Sequence, residues 1–345
     1  MTPFQVGVSR DFLGADGRNL WGDIGLHALD EAGVRWSYLD RDTDELIAAD
    51  LAGLDGVIFA APAITRRTFD PAIPGPAVFA RFGVGYDSVD LAACTAHDTA
   101  VTITPDGARR PVSTAALTLL LSVLHHVVVK DRMVRQDRWQ EKTAWMGRGL
   151  TGRCVGLIGL GNTATDLVGL LRPFQVDVVA YDPYRTPESA RECGVRLADL
   201  DPLLAQADAV IVMAALTPET RHLINARRLA LMRPSAVLVN VARGPIVDET
   251  ALAAALRSGR LAGAGLDVFE TEPPAADNPL LGLDNTILSP HALSWTDEMA
   301  TGNGDSAVRA VLDVLAGQAP RYVVNRDVLD RPGFQRRLAG LTAPR

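Results

Sequence analysis

The sequence predicts an α/β protein built from two Rossmann-like, doubly wound parallel-sheet domains, the first of them discontinuous in sequence. Short apolar runs alternate with helical patterns over most of the chain. A glycine-rich turn joins one such run to a helix near the middle. With 345 residues, 48% of them hydrophobic, the chain exceeds the size at which one core usually stops growing.

Residues 4–8, 34–39 and 57–60 are rich in β-branched and aromatic side chains and alternate with a helical pattern at 24–32, a βαβ rhythm. Residues 111–136 then predict one long helix with Pro111 in its first turn, connecting the domains. A second alternation follows, with strands expected at 154–158, 176–181, 209–213, 236–240, 263–267 and 286–288 and helices between most of them, for example at 248–258. One further helical pattern, 306–315, is too little for a third domain and is expected to pack back on the first. The expected division is therefore 1–108 with 297–345 as the substrate-binding domain and 109–296 as the dinucleotide-binding domain. Residues 327–345 read as a polar tail.

Charge and cysteines narrow the class. Lys plus Arg total 34 and Asp plus Glu 41, a net −7 with no long basic run, which disfavours nucleic acid and anionic membranes as partners. Cys94, Cys154 and Cys193 match no metal-ligand spacing, and three cysteines cannot all pair within one chain, so they read as reduced thiols of a cytoplasmic protein. The longest apolar stretch, 115–129, contains His125 and His126 and is too short to span a bilayer, and no signal peptide opens the chain.

Gly159-Leu160-Gly161-Asn162-Thr163-Ala164 follows the strand at 154–158 and leads into a helical stretch at 166–171. Gly159 permits the tight turn, Gly161 lets the backbone approach a pyrophosphate, and Ala164 allows helix and strand to pack closely. Asp182 ends the next strand, 182 − 161 = 21 residues on, close to the spacing of about 20 at which an acid meets the adenine ribose. The other reading of Asp182 is a turn residue before Pro183. A carboxylate there repels a 2′-phosphate, so NAD is expected rather than NADP.

Three more residues fall just beyond strand ends, where open α/β sheets bind ligands. Arg243 follows the strand at 236–240, Glu272 that at 263–267 and His291 that at 286–288. Carbonyl reduction needs a proton donor that works near neutral pH, a carboxylate to hold the imidazolium, and a guanidinium to grip a substrate carboxylate. Singly, each residue is better explained by an ordinary loop or turn. Together, beside a nucleotide loop, they compose a candidate active site.

On these residues the chain resembles the D-isomer-specific 2-hydroxyacid dehydrogenases. The similarity runs from about Val57 to Val324 and rests on residues 81–91 (RFGVGYDSVDL), the loop from Gly159 to Ala164, residues 240–248 (NVARGPIVD), 266–273 (LDVFETEP) and 289–291. The resemblance implies hydride transfer between NAD and a small 2-hydroxy or 2-oxo acid, with Arg243 as anchor, His291 as acid/base and Glu272 orienting it. It implies a cofactor set of Gly159, Gly161, Asn162, Thr163, Asp182, Thr217, Ala242 and Asp267. Substrate contacts would come from Arg81, Arg243 and the backbone amides at Val84 and Gly85, in a homodimer whose domains close over the cleft.

Departures from the family pattern are Ala108, Thr114 and Ala164 where Asn, an acid and Gly are common; none touches the three central residues. An alternative substrate is a phosphonate or phosphorus oxyacid, if Arg10, Arg81, Arg109 and Arg110 add positive charge. A reading from another class is an NAD(H)-sensing, corepressor-like interaction protein, which has no use for an aligned proton donor.

Overall fold

The computed structural model describes residues 4–342. The chain divides into two units, one within Met1–Ala108 and Trp295–Arg345, the other Arg109–Ser294.

The first unit holds β1 (Gln5–Val8), β2 (Arg35–Tyr38), β3 (Gly56–Phe59), β4 (Val78–Arg81) and β5 (Ala100–Thr102), in the order β2-β1-β3-β4-β5. Every pairing is parallel. Both faces are covered, so successive side chains enter different cores. Ile58, Val78 and Ala80 join one cluster with Ala307, Val308 and Val311 of the helix Asp297–Leu315. Val57, Phe59 and Phe79 join the other with Leu46, Leu51 and Cys94. Burial, with Asp90 adding its charge, pushes the Cys94 thiol up to about 12, so it behaves as a small hydrophobe. The strand order reverses between β1 and β3, which sets the ligand-binding edge of this sheet at their carboxyl ends.

The second unit holds β6 (Cys154–Ile158), β7 (Asp177–Tyr181), β8 (Arg196–Leu197), β9 (Ala209–Val212), β10 (Val237–Asn240), β11 (Gly263–Leu266) and β12 (Thr286–Leu288). Their order is β12-β11-β10-β9-β6-β7-β8, again wholly parallel, with the reversal between β6 and β9. This is the dinucleotide-fold order extended by one strand. Glycines in β11 bring a helix close: a Cβ at Gly263 would lie 2.9 Å from Val123 Cγ1, and one at Gly265 3.0 Å from Leu119 Cβ.

Three expectations need correction. The helix expected at 111–136 is two, Pro105–Leu124 and Val127–Arg135, bent by 59° where His126 adopts a left-handed φ of 53°. Pro105, not Pro111, opens the first of them, and Pro111 sits inside it. The helix expected at 306–315 begins at Asp297. Its first half is masked in the sequence by Gly302 and Gly304, which are there for clearance: Cβ atoms would lie 2.7 Å from Gly107 Cα and 2.3 Å from Ile24 O. The expected polar tail contains the helix Pro332–Thr342, whose Phe334 and Leu338 are buried in the first unit's core. Among the described residues no single helix is long and apolar enough to cross a membrane.

Candidate active site

The turn after β6 is shaped for a dinucleotide. Gly159 has φ +93°, and a Cβ there would lie 2.9 Å from the backbone N and Cα of Ala214, where the chain leaves β9. Only glycine meets both demands. Gly161, by contrast, faces open space and caps the helix Asn162–Leu171, while Ala164 is buried beneath it. The loop thus has a clear face and a ten-residue helix N-terminus, the combination that suits a pyrophosphate. Thr163 O accepts from the buried Ser113 hydroxyl at 2.9 Å, which braces the first turn of that helix.

Asp182 follows β7 and turns back onto this loop. Its Oδ2 accepts from Leu160 N at 2.7 Å and its Oδ1 from Tyr184 N at 2.9 Å. Arg185 Nε donates to Leu160 O at 2.9 Å. The turn role is therefore shown, and it holds the carboxylate at the glycine loop.

The remaining candidates follow β9, β10, β11 and β12. Thr217 N donates to Thr220 Oγ1 at 2.7 Å in a closed turn after β9. After β10, Asn240 Oδ1 accepts from Ala242 N at 3.0 Å and Asn240 Nδ2 donates to Arg243 O at 3.0 Å, so one buried amide shapes the turn that carries the guanidinium. Arg243 Nη1 donates to Ala242 O at 2.7 Å. Buried Asp267, just past β11, accepts at Oδ1 from Ala292 N and Leu293 N, each at 3.1 Å, and so pins the segment that follows His291.

His291 itself has a left-handed φ of 54°. Its Nδ1 lies 2.7 Å from Glu272 Oε2, and Phe269 N donates to Glu272 Oε1 at 3.0 Å. Partial burial opposes the Glu272 charge. The bonds from His291 and the Phe269 amide, with the charges of His291 and Arg243, outweigh it and hold the carboxyl below the usual glutamate value. The second unit thus brings Arg243, Glu272 and His291 to the ends of three neighbouring strands, with a charged carboxylate against the imidazole.

Several supports were not read from the sequence. A Cβ at Gly244 would fall 1.8 Å from Phe269 C, so the turn bearing Arg243 lies directly on the loop bearing Glu272. Glu249 N donates to Glu270 Oε1 at 2.9 Å, Glu270 N donates to Glu249 Oε1, and His222 Nε2 lies 3.2 Å from Glu270 Oε2. The second acid in Val268-Phe269-Glu270-Thr271-Glu272 was the available signal for this brace.

In the first unit, Arg81 Nε donates to Gly85 O at 2.9 Å and its guanidinium lies 5.5 Å from the Phe59 ring centroid. Gly83 N donates to Thr104 Oγ1 at 2.8 Å, Thr104 N to Gly83 O at 3.0 Å, and Thr104 Oγ1 to Asn303 Oδ1 at 2.8 Å. The turn is thereby anchored at both ends. Among the described residues the N–H groups of Val84 and Gly85 meet no protein acceptor, and the space beside Gly83 is open. Of the four arginines considered for extra positive charge, Arg81 is engaged with this turn and Arg110 Nη2 pairs with Asp166 at 3.0 Å.

Residues 117–292, half of the chain, match the D-isomer specific 2-hydroxyacid dehydrogenase, NAD binding domain. The chain is 35% identical over 303 residues to a glyoxylate reductase of Thermococcus onnurineus (strain NA1), covering 86% of this chain and 87% of that protein. Among solved structures, the TT0316 protein from Thermus thermophilus is similar with a TM-score of 0.81 at 31% identity, covering 93% of this chain and all of that one. An NADPH-dependent glyoxylate/hydroxypyruvate reductase from Sinorhizobium meliloti is similar with a TM-score of 0.78 at 30% identity, over 94% and 98% of the two chains. With the wholly parallel sheets and the glycine loop, these matches establish that the chain belongs to the D-isomer-specific 2-hydroxyacid dehydrogenases, NAD-dependent oxidoreductases acting on CH–OH groups.

Proposed function

We propose that the chain interconverts a small 2-oxo acid and its D-2-hydroxy acid, with His291 as acid/base, Glu272 orienting it and Arg243 anchoring the substrate carboxylate. The observation that carries this reading is the 2.7 Å contact between His291 Nδ1 and the charged Glu272, on loops after adjacent strands.

When bound, NADH supplies the hydride that the carbonyl carbon accepts, and NAD⁺ takes it back in the reverse direction. The protein supplies the proton. With Nδ1 turned to Glu272, the transferable proton resides on Nε2. In reduction the imidazolium gives this proton to the carbonyl oxygen as negative charge develops there. In oxidation the neutral ring takes it from the hydroxyl. Arg243 offers the planar fork that matches a carboxylate, and in the first unit the N–H groups of Val84 and Gly85 are donors of the kind a substrate carboxylate accepts. Arg81 supports that turn from behind through Gly85 O.

The pH dependence follows from Glu272. Its folded value lies below its unfolded one, so its contribution to stability is in place above the ordinary glutamate range and is lost as pH falls through the depressed value. Glu272→Gln keeps the shape and removes the charge that favours the imidazolium. The expected result is an alkaline limb of the reduction profile displaced to lower pH, measured as kcat against pH with glyoxylate and NADH. An unmoved limb contradicts the pairing.

Asp182 supports a preference for NAD over NADP, because its carboxylate is fixed at the loop and repels a 2′-phosphate. Asp182→Ala is expected to narrow the ratio of kcat/KM for NADH over NADPH. Equal kcat/KM for the two cofactors in the wild type removes the role given to this residue.

A further inference from the structure

The carboxyl edge of the first unit's sheet carries an aromatic ladder that the chemistry of reduction does not require. Phe12, fully buried on the loop leaving β1, meets Phe82 edge-on at 5.1 Å between centroids. Phe82 in turn meets Trp21 at 5.1 Å, and Trp21 meets Trp295 at 4.5 Å. The ladder starts in the core and ends in the open, since Trp295 is 58% exposed. Of the large apolar side chains exposed in this unit, Leu20, Val84, Tyr86 and Trp295 lie on the ladder's own segments or on the turn after Phe82; Tyr322 alone lies elsewhere among the described residues. Large apolar side chains gathered on one edge mark a place where a ligand or partner is met.

The position identifies the ligand. Phe82 immediately precedes Gly83, and the amides of Val84 and Gly85 come next, on the turn to which the proposed function assigns the substrate carboxylate. In a 2-oxo acid the carboxylate and the 2-substituent are joined through a single carbon. A carboxylate on these amides therefore keeps its substituent within a few ångströms of the turn, and the partly exposed Trp21 packs on the buried Phe82 that opens this turn. Glyoxylate has only hydrogen in that place and leaves the ladder unused.

We infer that Trp21 and Trp295 form a substrate subsite selecting 2-oxo acids with an aromatic or bulky apolar 2-substituent. The inference rests on the dehydrogenase reading above and narrows its substrate. Rings in offset or edge contact with tryptophan gain attraction beyond their buried area, and the site's polar demands are already met at the carboxylate and carbonyl.

The test is kcat/KM with NADH for phenylpyruvate and for glyoxylate, in the wild type and in Trp295→Ala. The wild type is expected to favour phenylpyruvate by about tenfold or more, the scale at which an apolar pocket separates substrates. In Trp295→Ala that ratio is expected to fall about tenfold, since the exposed end of the ladder is removed. Wild-type preference for glyoxylate overturns the inference whether or not the variant folds. A preserved ratio in a folded variant also overturns it, and a changed oligomeric state with that preserved ratio reassigns the ladder to contact with a second copy. Glyoxylate turnover in these cases leaves the dehydrogenase reading standing, whereas turnover of neither acid contradicts both.

Discussion

Replacing His291 with Ala is expected to lower kcat for 2-oxo acid reduction by about 10²–10⁴-fold, the usual contribution of general acid catalysis. Hydride addition without a proton leaves an alkoxide, and His291, held by Glu272 on loops after adjacent strands, is the group to which the proposed function assigns that proton. NADH affinity is expected to stay near the wild-type value, because the glycine loop, Asp182 and the helix Asn162–Leu171 lie on β6 and β7, apart from the imidazole in the sheet order. Steady-state kcat and a fluorescence titration with NADH measure the two quantities separately. Wild-type turnover in the variant means that the acid lies elsewhere. A parallel loss of NADH binding means that the substitution disturbed the fold.

Gly244→Ala is expected to be nearly as damaging although Gly244 carries no chemistry. A Cβ is fixed to the backbone and has no rotamer through which to escape. Here it would sit 1.8 Å from Phe269 C, 1.9 Å from Phe269 O and 2.3 Å from Glu270 N. Either the turn bearing Arg243 or the loop bearing Glu272 must give way by an ångström or more. Overpacking of this kind costs about 1–3 kcal/mol of stability. A displacement of about 1 Å between reacting groups costs about 10²-fold in rate. The expected outcome is a kcat/KM lower by about 10²-fold with a reduced Tm. Activity within a factor of a few of the wild type shows that the two loops are not held by this contact.

The parts of the fold that were legible are those in which local pattern and final environment agree. The strands at 154–158 and 286–288 keep the same bounds in the structure, the first because a strand buried on both faces is a continuous apolar run. Strands β4, β5 and β8 were not read; β8 has two residues, and β5 has three. Gly302 and Gly304 concealed half a helix because they answer to Gly107 and Ile24, whose backbones reach them from far away in sequence. Phe334 in the expected tail had no neighbour in sequence to suggest that it completes the first unit's core.

The site divides along the same line. Glycine spacing and strand ends are local, so Gly159, Gly161, Asp182, Arg243, Glu272 and His291 could all be placed on the loops that carry them in the structure. What holds them is long-range. Asp267 reaches 25 residues forward to the segment after His291, and in the first unit the Thr104–Asn303 bond behind the turn at Gly83 spans 199 positions. Glu270 had a sequence signal, as the second acid beside Glu272, but its partners Glu249 and His222 come from other strand ends. Such partners appear only when the loops converge.

The stereochemistry of the product tests the central claim most directly. With stoichiometric NADH and the faster of pyruvate or phenylpyruvate, the account predicts one 2-hydroxy acid formed per NADH consumed, all of it the D-isomer by chiral chromatography. Formation of the L-isomer, or no NADH oxidation with either of these acids or with glyoxylate, contradicts it.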